Sequence, residues 1–127
     1  MNIEDYRLYC LSKPATTESF PFDKDVLVFK VMNKMFALTS LKKWENGDYS
    51  VNLKCNPERA ILLRERYPDD VFPGYHMSKV HWNTVVIDGG MLSDSEVKTL
   101  IDHSYNLIVD SFTKKQKDEY VEITKLS

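Results

Sequence analysis

The side chains best able to do chemistry concentrate in one run, Gly74-Tyr75-His76-Met77-Ser78-Lys79-Val80-His81-Trp82-Asn83. It holds two of the chain's three histidines, with a lysine, a tyrosine and a tryptophan. Histidine titrates near neutral pH and serves as metal ligand or general base, so metal binding and catalysis are the first readings to weigh. His76 and His81 stand five residues apart, with no HExxH pattern and no cysteine beside them; no metal and no other cofactor is expected. Ser78 lies between the histidines, but no GxSxG elbow surrounds it. Cys55 stands before a helix start, where the dipole lowers a thiol pKa. There is no P-loop, no GxGxxG and no carboxylate pair, so no catalytic residue is assigned.

Three strand patterns and a fourth, later one must position this run. Val26 to Met32 is β-branched and aromatic, and Leu27, Phe29 and Val31 share a face. Met35 to Leu41 follows after Asn33-Lys34, a link that suits a tight hairpin. Tyr49 to Lys54 alternates, with Tyr49, Val51 and Leu53 on one side, and Asn46-Gly47 before it reads as a second hairpin turn. Trp82 to Ile87 alternates as a later strand. Helices are expected from Asn2 to Lys13, from the Asn56 cap and Pro57 to Tyr67, from the Ser93–Glu96 capping box to Phe112, and from Thr113 to about Leu126. Residues 14–25 read as a loop anchored in the core by Phe20 and Phe22, and 69–81 as irregular. The expected fold class is α+β: one domain over residues 1–127, an antiparallel meander plus a later strand, with helices flanking it at both ends of the chain.

Size and charge narrow the function classes. A chain of 127 residues and 14.8 kDa buries roughly two-thirds of its unfolded surface without staples. No apolar run approaches the roughly 20 residues of a membrane helix. The two cysteines form no CxxC pair, and the first residues lack a signal-peptide pattern, so a cytoplasmic protein with free thiols is expected. The formal net charge of −2 argues against a uniformly basic nucleic-acid binder. The charge is unevenly placed, however: −2 over residues 1–25, +4 over 26–66 and −4 over 67–127. The meander and its following helix are basic, and a hairpin wing bearing Lys42, Lys43 and Trp44 is expected to meet phosphates and stack on a base. Trp44, Tyr49, Tyr75 and Trp82 suit a protein interface as well, with Trp82 read first as core.

The GYHMSKVHWNTV run at 74–85 resembles the MmcQ/YjbR family of small bacterial proteins. Asp88-Gly89, the helix containing Asp102, Ser104 and Tyr105, the Leu53-Lys54-Cys55 to Asn56-Pro57-Glu58 step, Pro14 and Phe20-Pro21-Phe22 fit it too. The resemblance implies a compact α+β fold, a double-wing motif and DNA binding, with Lys54, His76, Lys79, His81 and Trp82 at recurring family positions. Together with Lys42 and Lys43, these form the candidate ligand- or DNA-binding set. The expected partner is DNA. A protein-interaction or chaperone-like adaptor, and an enzyme centred on the 74–82 loop, stand as alternatives.

Overall fold

The computed structural model of the protein describes residues 1–125; Leu126, where the last helix was expected to end, lies outside them. In chain order the elements are α1 (Ile3–Leu11), β1 (Thr16–Ser19), β2 (Val26–Val31), β3 (Lys34–Ser40), α2 (Leu41–Glu45), β4 (Ser50–Lys54), α3 (Pro57–Arg66), β5 (Val71–Pro73), β6 (Trp82–Val86), α4 (Asp94–Asp110) and α5 (Lys114–Lys125). The strands form one antiparallel sheet in the order β1-β2-β3-β4-β6-β5. The fold is α+β, with the expected meander and the later strand β6 beside β4.

Two strands fall where loop was expected. β1 is short and polar, with no apolar alternation to announce it, and it gains order only by pairing Thr16–Ser19 with Val28–Val31. β5 is three residues long and ends in Pro73, which an edge strand tolerates because one side of its backbone needs no partner. Phe20 and Phe22 do not anchor the core: they are 47% and 64% exposed. The aromatic core contact comes from Tyr6 of α1, fully buried, whose ring meets Phe29 edge-on at 5.5 Å.

The two turns also differ from expectation. The β2–β3 hairpin turns on Met32 and Asn33, both at positive φ, one residue earlier than expected, and Lys34 already belongs to β3. Asn46-Gly47 closes no hairpin. Ser40 caps the short helix α2, accepting the Lys43 amide, and Asn46 then ends that helix with Gly47 at φ +83°. A helix C-terminus needs the left-handed residue as much as a hairpin does, so the same dipeptide serves either. Lys42, Lys43 and Trp44 therefore ride on a helix between β3 and β4, not on a hairpin wing.

The sheet has two unlike faces. Leu27, Phe29, Val31, Phe36, Val51, Leu53, Val85 and Ile87 face α1 and α4 and make the main core. Val97, Leu100, Ile101, Tyr105 and Ile108 of α4, with Phe112 just beyond its end, are buried against them. Both capping boxes form: Ser93 with Glu96, and Thr113 with Gln116. On the opposite face Val28, Leu38 and Trp82 form a smaller cluster, with Val26, Met35 and Met77 around it.

The shortest register is between β3 and β4, which share only the pairs Ala37–Leu53 and Leu38–Asn52. Beyond them, at the β3 bulge, the Lys54 N–H and the Phe36 carbonyl have lost their ladder partners. The fully buried Ser104 hydroxyl of α4 supplies both: it accepts from Lys54 N at 2.9 Å and donates to Phe36 O at 2.5 Å. At the other end the Thr39 hydroxyl donates to Ser50 O at 2.7 Å, and Trp44 Nε1 donates to the Thr39 hydroxyl at 2.9 Å. Ser104→Ala strands two buried backbone groups and is expected to cost about 2–4 kcal/mol in urea unfolding; a loss below about 1 kcal/mol would show that water replaces the hydroxyl.

Candidate functional site

Residues 74–81 lie against the open face because several unrelated groups hold them there. The Gly74 amide donates to the Trp82 carbonyl at 2.9 Å. A Cβ on Gly74 would stand 2.8 Å from the Trp82 Cβ and 3.0 Å from its carbonyl oxygen, so only glycine lets the strands approach this closely. The Tyr75 amide donates to the Thr84 hydroxyl at 2.9 Å, and that hydroxyl passes its own hydrogen to Asn52 Oδ1 at 2.6 Å. Lys79 Nζ donates to the Gly74 carbonyl at 3.0 Å and ties the loop to its own start. Arg64 of α3 donates to Asn83 Oδ1 at 2.7 Å and to the Lys79 carbonyl. The His81 carbonyl accepts the Cys55 amide at 2.8 Å.

A cleft of about 360 Å³ opens between this loop, α2 and the β1–β2 connection. Val26, Met35 and Leu38 give it an apolar lining, Met77 closes one side, and Asn52, Ser40 and Ser50 add polar groups. Phe22, Lys43, Tyr75 and His76 complete it. Lys43 Nζ stands 4.1 Å from the centre of the Tyr75 ring, a cation–π contact joining α2 to the loop, and the Tyr75 and His76 rings are 4.0 Å apart. His76 holds φ +57°, a conformation that costs most residues energy and is here maintained by the fixed loop. Among the described residues no carboxylate lines the cleft.

The sequence-derived candidates divide accordingly. Lys43 and His76 line the cleft. Trp82 is 8% exposed and packs with Val28 and Leu38, a platform beneath the loop rather than a free stacking surface. Lys54 is opposite Trp82 on β4 and shares its face. Lys79 fastens the loop, and His81 is exposed on it. Lys42 is exposed on α2, while its amide donates to Asp25 Oδ1 at 2.7 Å. Cys55 is no activated thiol: it is 4% exposed, and burial pushes its pKa up against the weaker pull of Arg59 and Arg64. Cys10 is fully buried and pushed up to about 12. Among the described residues no three His, Cys, Asp or Glu side chains gather as a metal site. The cleft residues that sequence reasoning passed over are Phe22, Val26, Met35, Leu38 and Asn52. The available signal was β2, where Val26 and Val28 add apolar groups to the face opposite Leu27, Phe29 and Val31.

The YjbR family model matches residues 11–107. The chain belongs to the YjbR family. It is 36% identical to the YjbR protein of Escherichia coli K12 over 123 residues, covering 97% of this chain and 100% of that protein. The YyaQ protein of Bacillus subtilis is 29% identical, with 82% and 95% covered. Among solved structures, a Deinococcus radiodurans protein with a DUF419 domain superposes with a TM-score of 0.84 at 37% identity, over 94% of this chain and 87% of that one. A Pseudomonas syringae protein gives 0.70 at 32% identity, over 84% and 98%. The family resemblance carried by the 74–85 run is thus borne out, and in this YjbR-family chain that run is the wall of the cleft.

His103 serves the frame rather than the cleft. Its Nε2 accepts the Asn56 amide at 3.1 Å, satisfying a donor at the start of α3. Burial, with Arg59 nearby, holds its pKa below the ordinary 6.5. The unfolded chain therefore takes up this proton first on acidification. The contribution of His103 to stability is complete above about pH 6.5 and fades as pH falls towards its folded pKa. An NMR titration should place the His103 ring below 6.5; a higher value would refute the neutral acceptor. Gly74→Ala should push the loop off Trp82, with a thermal unfolding midpoint lowered by several degrees and altered amide shifts at Tyr75 and His76; unchanged shifts would show that the close approach is dispensable.

Proposed function

We propose that the protein binds nucleic acid, DNA in the first instance, on the open face of its sheet. The reading rests on how charge is divided between the two faces. Glu18 is the one carboxylate within the six strands, and it turns to the helical side, where Arg7 of α1 holds it at 2.7 Å. Burial opposes the effect, but the Arg7 hydrogen bonds dominate and keep the Glu18 carboxyl ionised below its usual range. The open face receives Lys30 and Lys54 from the strands and Lys43 from α2, with Lys42 close by in sequence. Asp25, near the same edge, is engaged by the Ser40 hydroxyl and the Lys42 amide.

Only part of the basic +4 segment contributes. Arg64 fastens the loop, Lys34 stands 5.5 Å from the Phe112 ring on the helical side, and Arg59 and Arg66 border Tyr67 and Glu96 between α3 and α4. About four lysines thus serve the binding face, enough for modest affinity with marked salt sensitivity. A cytoplasmic setting accompanies this reading: both thiols are free and buried, and no helix among the described residues is long and apolar enough to cross a membrane.

A small-molecule reaction in the same cleft is the second reading, because the 74–82 loop leaves a cavity beside it rather than packing flat. Its titratable lining is Lys43, Tyr75 and His76, with no carboxylate to orient the imidazole, which favours binding over acid–base chemistry.

Fluorescence anisotropy with labelled single-stranded and duplex oligonucleotides should detect binding at low salt. The logarithm of affinity should fall against that of salt concentration with a slope of about −3. Lys42→Glu with Lys43→Glu should abolish the signal while leaving the circular dichroism spectrum intact. No anisotropy change on either DNA at low salt sinks the reading.

A further inference from the structure

We propose that the cleft is a receptor for a single unstacked base of a bound DNA strand, an inference that rests on the nucleic-acid reading above. The volume of about 360 Å³ lies within the roughly 300–1,000 Å³ of ordinary ligand sites, so it suits one nucleoside rather than a stack. The lining is that of a site for a flat ring. Val26, Met35 and Leu38 offer dispersion contacts, and the Tyr75 ring, covered by Lys43 at 4.1 Å, becomes a π face to stack on when that ammonium turns to a phosphate.

One polar group is placed to read an edge. The Tyr75 amide gives its hydrogen to the Thr84 hydroxyl, which gives its own to Asn52 Oδ1. With its oxygen engaged in this relay, the Asn52 side chain presents its NH2 as a donor in the cleft. A base carbonyl or ring nitrogen is the matching acceptor.

The charges distinguish a strand from an apolar ligand. Lys43 lines the cleft, and Lys30 and Lys54 share the sheet face around it, so phosphates on either side of an inserted base meet cations and no carboxylate of the cleft. Lys43 stands 4.1 Å from the Tyr75 ring centre, so one phosphate contact adjoins the stacking ring itself. A paired duplex holds its bases in the stack and cannot fill the cleft without unpairing; single-stranded DNA can.

The test compares two oligomers of equal charge. Protein labelled at its methionine methyls is titrated with a single-stranded thymidine hexamer and with an abasic hexamer, and affinity is measured by anisotropy. The base-bearing strand should bind about tenfold more tightly, the scale of one stacked base. The Met35 and Met77 methyl signals should move with the thymidine strand and stay in place with the abasic one. Tyr75→Ala, which removes the exposed stacking ring and keeps the backbone amide bond to Thr84, should lower thymidine-hexamer affinity to the abasic level; should it not fold, the wild-type comparison decides alone. Equal affinity for both hexamers, with unmoved methyl signals, overturns the base receptor and leaves salt-sensitive DNA binding standing. Binding to neither hexamer overturns the base receptor, and if duplex DNA does not bind either, the nucleic-acid reading falls with it.

Discussion

The sheet depends on side chains to close the seam at its centre. β3 and β4 are neighbours for only two register pairs, yet every strand on one side of the sheet communicates with the other side through them. Ser104 bridges one end of that seam, and Thr39 with Trp44 bridges the other. The ladder is interrupted beside the β3 bulge, where Phe36 lies unpaired between the Phe29–Ala37 and Lys30–Met35 pairs, and a bulged strand cannot keep a full ladder on both edges. α4 is therefore more than a cover for the core. Its hydroxyl completes the backbone bonding of the strands it packs on, so helix docking and sheet closure are one event.

In the nucleic-acid reading, that arrangement leaves the far face for binding. α1 and α4 occupy one side of the sheet, and the acidic residues of these helices gather there with them. The other side keeps lysines, a few apolar groups and the loop 74–81. A half-covered antiparallel sheet exposes a flat surface that has to be polar, shielded or used. Here Trp82 and Met77 shield Val28 and Leu38, while Val26, Met35 and Asn52 remain accessible in the cleft.

Much of this was legible in the residues. Long elements with caps read correctly: α3 from Asn56-Pro57, and α4 from its capping box. Short or polar elements did not, because β1 and β5 owe their order to neighbours rather than to pattern. Asn46-Gly47 misled because it marks a required left-handed residue without saying whether a hairpin or a helix end needs it. The 74–82 run stood out by the density of its groups, but its roles were not separable in one dimension. Lys43 and His76 reach the cleft, Lys79 holds the loop and Trp82 lies under it. Phe22 looked like core by its type and lines the cleft by its position.

The cleft is held open by constraints that do not depend on a ligand. Gly74 permits the approach to Trp82, the Thr84 hydroxyl fixes Tyr75 to Asn52, and Arg64 grips the loop's far end from α3. A loop tied at both ends and in the middle loses little further freedom on binding, so the contacts made there are not offset by an ordering cost. The mobile partner is Lys43, whose ammonium has three donors and a flexible stem. Its position beside Tyr75 is a weak surface interaction of about 0.5–1 kcal/mol, easily exchanged for a phosphate oxygen, which bonds a cation more strongly than an aromatic face does. The rigid part of the site thus sets shape and hydrogen-bond pattern, and the flexible part supplies charge.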